Sequence, residues 1–449
     1  MGSGQCLNPE MFSKTENANA FLLITNIHRV AQMNLQNHNI VIIGAGPAGA
    51  AAALKLDRLG IPCVIIDKAI FPRDKICGDG ISHRVVDILR RWIDPSVLAR
   101  FEVSQNIQLD SWGLSIEGTK ENGFEIGYRS VYDKTNETPP GFVCKRREFD
   151  NFLVEEVNRS PHITLYEDTE IVDFQRNTEG WLLKDKNNSL SIQTQLLIIA
   201  DGAHSRFARL IGGITLDPKH NMASVKAYYK GVTGFHSDNF LEFYFLKNFL
   251  PGYFWIFPLP NGEANVGIAI VSEQVSKRKL NLRKCLNEVI ETTPKFKKRF
   301  ENAELIGDIQ GFGLPLASKK RKLSGEGYML TGDAASLIDP LTGEGIANAI
   351  LSGAVAAEQA AQCLEKHDFS AAILRGYDER IYRMRGQEFK VSYRLQQWFR
   401  NERFFNTMAW FIAKNKTLAR TFAYVFNDVT LKKQLWSPVW WWQVIKNKR

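Results

Sequence analysis

"NIVIIGAGPAGAAAALKLDRLG", residues 39–60, decides the fold. Ile40–Ile43 is an unbroken β-branched run, the pattern of a parallel strand buried on both faces. It runs into Gly44, Gly46 and Gly49, a GxGxxG spacing. Each glycine answers a steric demand: a tight turn, the close approach of a pyrophosphate, and close helix–strand packing. The alanines that follow make a slim, strongly helical segment. Its N-terminus, at Gly46, Pro47 and Ala48, is placed to receive phosphates. "PCVIID", 62–67, reads as the next strand and ends in Asp67, 18 residues after Gly49. An acid at that distance takes ribose hydroxyls, with Lys68 beside it. A glycine turn without a ligand is the plainer alternative, and the joint pattern disfavours it.

Two later stretches extend this frame. "LLIIADGAHSRFARLIG", 196–212, predicts a buried strand, then Asp201 and Gly202, then a helix start. "GYMLTGDAASLIDPLTGEGIANAILSGAVAAE", 327–358, predicts a third strand running into Gly332 and Asp333. Asp333 is placed to hold a chain hydroxyl. The amides from Gly343 through Gly345 to Ile346, where a small-residue helix opens, are placed to face a pyrophosphate or a ring system.

GxGxxG, then DG, then GDAAxxxxPxxGEG, in that order, resembles the FAD-dependent hydroxylase-type flavoproteins. "CGDGI" at 77–81, "RREFD" at 146–150, "GYFWIFPLPNGEANVGIAI" at 252–270 and "TGEGI" at 342–346 narrow this to the geranylgeranyl reductase family. The similarity covers about residues 38–365. It implies FAD held by Gly44, Gly46, Gly49, Asp67, Arg147, Asp201, Gly202, Asp333, Gly343 and Gly345. It also lays Cys77 and Gly78 against the flavin ring. The family often has Glu where Asp67 stands. On its residues alone, Arg147 reads equally well as a surface side chain.

The expected fold is α/β: a Rossmann-like FAD-binding domain, an inserted mixed β-sheet substrate domain and a helical C-terminal region. The FAD domain is discontinuous, at about 38–104, 146–214 and 326–365, with inserts at about 105–145 and 215–325. Residues 1–37 read as a loose extension, with Met33 as an alternative start, and 366–449 as a basic, aromatic-rich helical region. In the second insert, Tyr253, Trp255 and Phe257 share one face of a strand. They are sheet core or the wall of an apolar pocket beside the flavin. The resemblance implies reduction of C=C bonds in an isoprenoid chain. An isolated alkene carries no carbonyl, so hydride delivery to one carbon must be matched by a proton to the other. Cys77 is either that donor or a small apolar group packed on the flavin. Arg73 and Lys75 either approach the cofactor or lie in a solvated loop.

Only one dinucleotide fingerprint is present, so electrons are expected from NAD(P)H or another carrier bound transiently. Two alternatives keep the same frame. A monooxygenase or halogenase is weakened because the aligned WxWxIP stretch has Tyr253 and Phe257 in place of Trp and Ile, and because Ser336 follows GDAA where hydroxylases often carry His. A membrane-associated flavoprotein passing electrons to quinone is the other.

Composition narrows the partners. Six scattered cysteines form no CxxC pair and eight histidines no HExxH, so no metal is expected. The thiols are read as reduced and the protein as cytoplasmic, or peripheral on the inner membrane face. No signal peptide is visible, and the longest apolar run, Ile40–Leu54, is 15 residues with a glycine turn inside. The net charge of +9 resides in residues 391–449, which carry eleven Lys/Arg and two Asp/Glu. The same tail holds Trp436, Trp440, Trp441 and Trp442. Basic residues interleaved with tryptophan fit a membrane surface; a helix pair packed on the body is the plainer alternative. Nucleic acid is not expected from a neutral body without a binding motif.

Overall fold

A computed structural model describes residues 35–104, 106–120, 123–127 and 141–414. The four neighbouring C-terminal tryptophans, Trp436 to Trp442, and nearly all of the N-terminal extension lie outside the described residues. The described residues form a mixed α/β structure with three sheets and a helical C-terminal region.

The central sheet is built on Leu35–Ile43. It pairs in parallel with Ser191–Ile199, Ile40 opposite Leu196 and Ile43 opposite Ile199. On its other side it pairs in parallel with Cys63–Ile66. Tyr328–Leu330 and Ile163–Tyr166 extend the sheet outward. Ile40, Val41 and Ile42 are fully buried, which is why this run carries no polar alternation. The last turns of the three inner strands therefore converge on one sheet edge, where ligands of open α/β sheets bind.

Helix Pro47–Arg58 covers one face, and helix Ile346–Lys366 packs across it. Small residues set how closely they approach. A Cβ added to Gly353 would lie 2.1 Å from the carbonyl oxygen of Ala48, a backbone atom that cannot step aside.

A seven-stranded sheet lies over the ligand edge, in the order Glu304–Pro315, Asn221–Lys230, Glu263–Val271, Tyr253–Leu259, Leu241–Tyr244, Gly113–Glu117, Gly123–Gly127. Every residue of Tyr253–Leu259 is buried, because both sheet faces are covered. Phe254 and Ile256 pack on the outer helices with Leu286 and Phe296. Tyr253, Trp255 and Phe257 face inward. A small sheet of Gly80–Ile81, Gly141–Cys144 and Gln108–Ser111 joins the two layers.

The C-terminal region is a 28-residue helix, Ala371–Trp398, followed by Glu402–Lys414. Both pack on the body through Val391, Leu395, Phe405 and Ile412, while Trp398, Trp410 and Phe411 stay exposed. Among the described residues, no helix is long and apolar enough to cross a membrane.

Gly353→Ala tests the helix crossing. Helix propensity alone would stabilise this change by about 1 kcal/mol. The backbone clash is expected to reverse that sign and cost roughly 1–3 kcal/mol, read as a lower denaturation midpoint.

Candidate active site

The glycine turn starts the site. Gly44 takes φ +101° at the strand end and hands the chain to helix Pro47–Arg58. That helix has no side-chain N-cap and begins with Pro47, so the amides of its first turn remain open to an anion. Gly46, Pro47 and Ala48 line a cavity of about 440 Å³. Gly49 does not line it: a Cβ there would sit 1.8 Å from the Gly44 carbonyl oxygen, so its role is packing beneath the turn.

Asp67 closes this turn while lining the cavity beside Lys68. Its Oδ2 accepts from the Ala45 amide at 2.7 Å and its Oδ1 from the Ala69 amide at 2.9 Å. Asp201 and Gly202 line the next strand end. Burial pushes the Asp201 carboxyl up to about 6, with Ser205 opposing the shift. Its Oδ1 is buried without a hydrogen-bond partner among the described residues. An orphaned acceptor at a strand end suits a ligand hydroxyl. Asp333, Gly343, Gly345 and Ile346 complete this half of the cavity, and helix Ile346–Lys366 also opens without a side-chain cap. Open amides for phosphates, carboxylates for hydroxyls and a second helix start together fit FAD.

The other half of the same cavity is apolar. Leu114, Leu241, Phe243, Tyr253, Trp255 and Phe257 line it from the overlying sheet. The turn at residues 77–80 lies against this wall. A Cβ on Gly78 would meet the Phe257 ring at 3.2 Å, and one on Gly80 would meet Leu241 at 3.4 Å. A buried amide pins the turn. Asn265 Nδ2 donates to the Cys77 carbonyl and to Asp79 Oδ2, both at 2.7 Å, and its Oδ1 accepts from Trp255 Nε1 at 2.9 Å. Asp79, fully buried with φ +65°, also accepts from Tyr228 Oη at 2.7 Å and from the Arg146 amide at 3.1 Å. Burial raises its pKa, against the pull of Lys226 and these hydrogen bonds.

Cys77 lines the cavity, and so does Arg146. Burial disfavours the Arg146 charge, but Asp150 outweighs it and the guanidinium stays firmly protonated. Asp150 grips Arg146 through two bonds of 2.6 and 2.7 Å and holds Arg73 at 2.6 Å.

Here one expectation is corrected. Arg147 is exposed and does not line the cavity; its neighbour Arg146 is 6% exposed and does. Helix Arg146–Asn158 turns by about 100° per residue, so adjacent side chains leave in different directions. The signal was present, because Arg146 has Asp150 four residues on, whereas Arg147 has Asn151. Arg73 and Lys75 both line the cavity. Asn265, Asp79, Lys226 and Glu344 were not singled out from sequence. Glu344 accepts from Ser82 Oγ and lies 3.6 Å from Arg84.

The Asp201 carboxyl carries a pH signature. A carboxyl whose folded pKa is raised costs nothing below its unfolded value, destabilises as pH rises from that value to the folded one, and adds no further cost above it. The flavin-free protein is therefore expected to lose roughly 2 kcal/mol between about pH 4 and pH 6 through this group. Asp201→Asn should remove that component, seen in denaturant titrations as a wild-type-minus-variant stability that is lower at pH 7 than at pH 4 by a few kcal/mol, about 1.4 per pKa unit.

Comparison with known proteins agrees with this geometry. Residues 37–380 match the FAD binding domain family. A digeranylgeranylglycerophospholipid reductase of Methanosphaerula palustris is 29% identical over 374 residues, spanning 81% of this chain and 86% of that one. A menaquinone reductase of Mycolicibacterium smegmatis is 29% identical over 340 residues, 71% of this chain and 75% of that one. Among solved structures, a geranylgeranyl bacteriochlorophyll reductase-like protein from Thermoplasma acidophilum superposes with a TM-score of 0.72 at 22% identity, covering 89% and 99% of the two chains. A flavin-dependent brominase superposes at 0.68 with 20% identity, covering 91% and 98%. With its fingerprint turn, its strand-end carboxylates and a match over most of its length, the chain belongs to the FAD binding domain family and within it resembles the geranylgeranyl reductases.

Proposed function

We propose that the protein is an FAD-dependent reductase of C=C bonds in an isoprenoid chain. The observation that carries this reading is the continuity of one cavity from the dinucleotide cradle to the wall of Leu114, Leu241, Phe243, Trp255 and Phe257. An isoprenoid chain offers no polar handle along its length. Its binding rests on apolar burial, about 25 cal/mol per Å². Relatives named for reducing geranylgeranyl lipids support the same reading.

FAD supplies hydride chemistry when bound. The chain's own residues supply binding and the proton. The apolar wall holds an alkene away from water. Cys77, held by Asn265 through its carbonyl, donates a proton to the second alkene carbon, and Arg146 stabilises the thiolate left behind. Asp150 keeps Arg146 in place. Electrons reach the site from NAD(P)H or another transient carrier. Exposed Trp398, Trp410 and Phe411, with the basic segment 391–449, meet the lipid surface from which such a substrate comes.

The test is a single turnover. Flavin reduced anaerobically with dithionite is mixed with geranylgeranyl diphosphate or a digeranylgeranyl glycerophospholipid. Reoxidation should accompany products gaining one pair of hydrogens per reduced bond, by mass. A flavin that stays reduced until oxygen or a quinone enters would discard this reading in favour of a monooxygenase or a quinone-linked flavoprotein. Cys77→Ala should slow reoxidation by alkene about 10²- to 10³-fold while chain binding changes little. An undiminished rate would leave the thiol as packing only.

A further inference from the structure

The cavity floor changes chemistry across the seven-stranded sheet, and the register shows how. Ser224 stands opposite Phe312 on one side and Ala269 on the other, and Ala269 opposite Tyr253. Two residues along, Lys226 stands opposite Gly267, Gly267 opposite Trp255, and Trp255 opposite Phe243. Beyond Phe243, Leu241 pairs with Leu114. Ser224, Lys226 and Phe312 thus line one edge of the floor, and Leu241 and Leu114 the other. Four strand spacings of about 4.8 Å separate the strand of Lys226 from that of Leu114, roughly 19 Å.

Lys226 is the anomaly on this floor. The residue is 2% exposed, and Nζ has no hydrogen-bond acceptor among the described residues. Asp74 Oδ2 stands 3.6 Å away, beyond hydrogen-bond distance, and Nζ lies 3.6 Å from the centre of the Tyr228 ring. Asp79 is already engaged by Tyr228, Asn265 and the Arg146 amide. Lys75 reaches the same end of the cavity, its Nζ 3.8 Å over the Phe312 ring and 3.8 Å from Asp333 Oδ2. A buried ammonium carries three donors, and leaving them unanswered is costly. An anionic ligand group arriving there removes that cost.

We infer that this end of the cavity is a head-group site: Lys226, assisted by Lys75, binds the phosphate of an isoprenoid ester, and the chain runs across the strands to Leu114. The inference rests on the reductase reading and deepens it. The reverse orientation would bury a phosphate among leucine and phenylalanine and leave Lys226 unanswered. A neutral isoprenoid would fill the apolar wall alone. The shared chemistry is a phosphate ester on a branched chain, either as a free diphosphate or as a glycerophospholipid.

The test uses ligands that cannot be reduced, so it is independent of turnover. Holoenzyme with oxidised flavin is titrated calorimetrically with phytanyl diphosphate, diphytanyl glycerophosphate and phytanol. At least one phosphate ligand should bind more tightly than phytanol, and the tighter of the two identifies the source. Lys226→Met should weaken phosphate ligands about tenfold or more relative to phytanol, with flavin content reporting an intact fold. Lys226→Arg keeps the charge and should retain part of the preference. Equal affinities for all three ligands in the wild type overturn the head-group site and leave the reductase reading standing. So does a loss in Lys226→Met that is the same for phytanol as for the phosphates, the result expected if Lys226 serves the flavin. If none of the three binds, both proposals fall.

Discussion

The molecule depends on one buried amide. Asn265 ties the Cys77–Asp79 turn, which belongs to the dinucleotide half, to Trp255 and its own strand in the overlying sheet. Tyr228, which donates to Asp79, and Tyr253, which donates to the Thr342 carbonyl, add further ties between the same two layers. Asp79 and Asn265 are fully buried, so their polar atoms depend on partners within the network. Asp79 shows this most clearly. A fully buried carboxylate is tolerated because Tyr228, Asn265 and a backbone amide all donate to it and Lys226 lies nearby.

A second constraint comes from outside the sheets. The turn 339–343 faces the cavity, and the long helix Ala371–Trp398 props it from behind. Ser392 donates to Asp339 at 2.7 Å, Gln396 to the Pro340 carbonyl at 2.5 Å, and Asp339 in turn caps the Leu341 and Thr342 amides at 2.9 Å. Buried Glu388 on the same helix pairs with Arg84 and Arg385. The first helix of the basic C-terminal region is thus a strut for the site. The exposed aromatic surface begins near its end, at Trp398, and continues on helix Glu402–Lys414.

The two halves of the cavity answer different physical demands. The cradle offers amides and carboxylates at strand ends, where open backbone groups are unavoidable and a polar ligand satisfies them. The wall offers aromatic and aliphatic faces from a sheet covered on both sides. A ligand pair with one polar partner and one apolar partner suits such a division.

What the sequence determined by itself was everything that depends on local order. Ile40–Ile43, the glycine spacing and Asp67 form one strand–turn–helix–strand unit, so their roles follow from near neighbours and a fixed period. The shared face of Tyr253, Trp255 and Phe257 followed from strand alternation in the same way. Tertiary structure alone decided which side chains meet across the layers. Asn265 reaches Cys77 over 188 residues and Tyr228 reaches Asp79 over 149. The orphaned state of Lys226 exists only once the surrounding strands and the 73–79 segment have excluded water from it. The choice of Arg146 over Arg147 lay between, legible in an i,i+4 carboxylate but settled by which helix face the core covers. Periodicity reports which face is buried; it does not report what is buried against it.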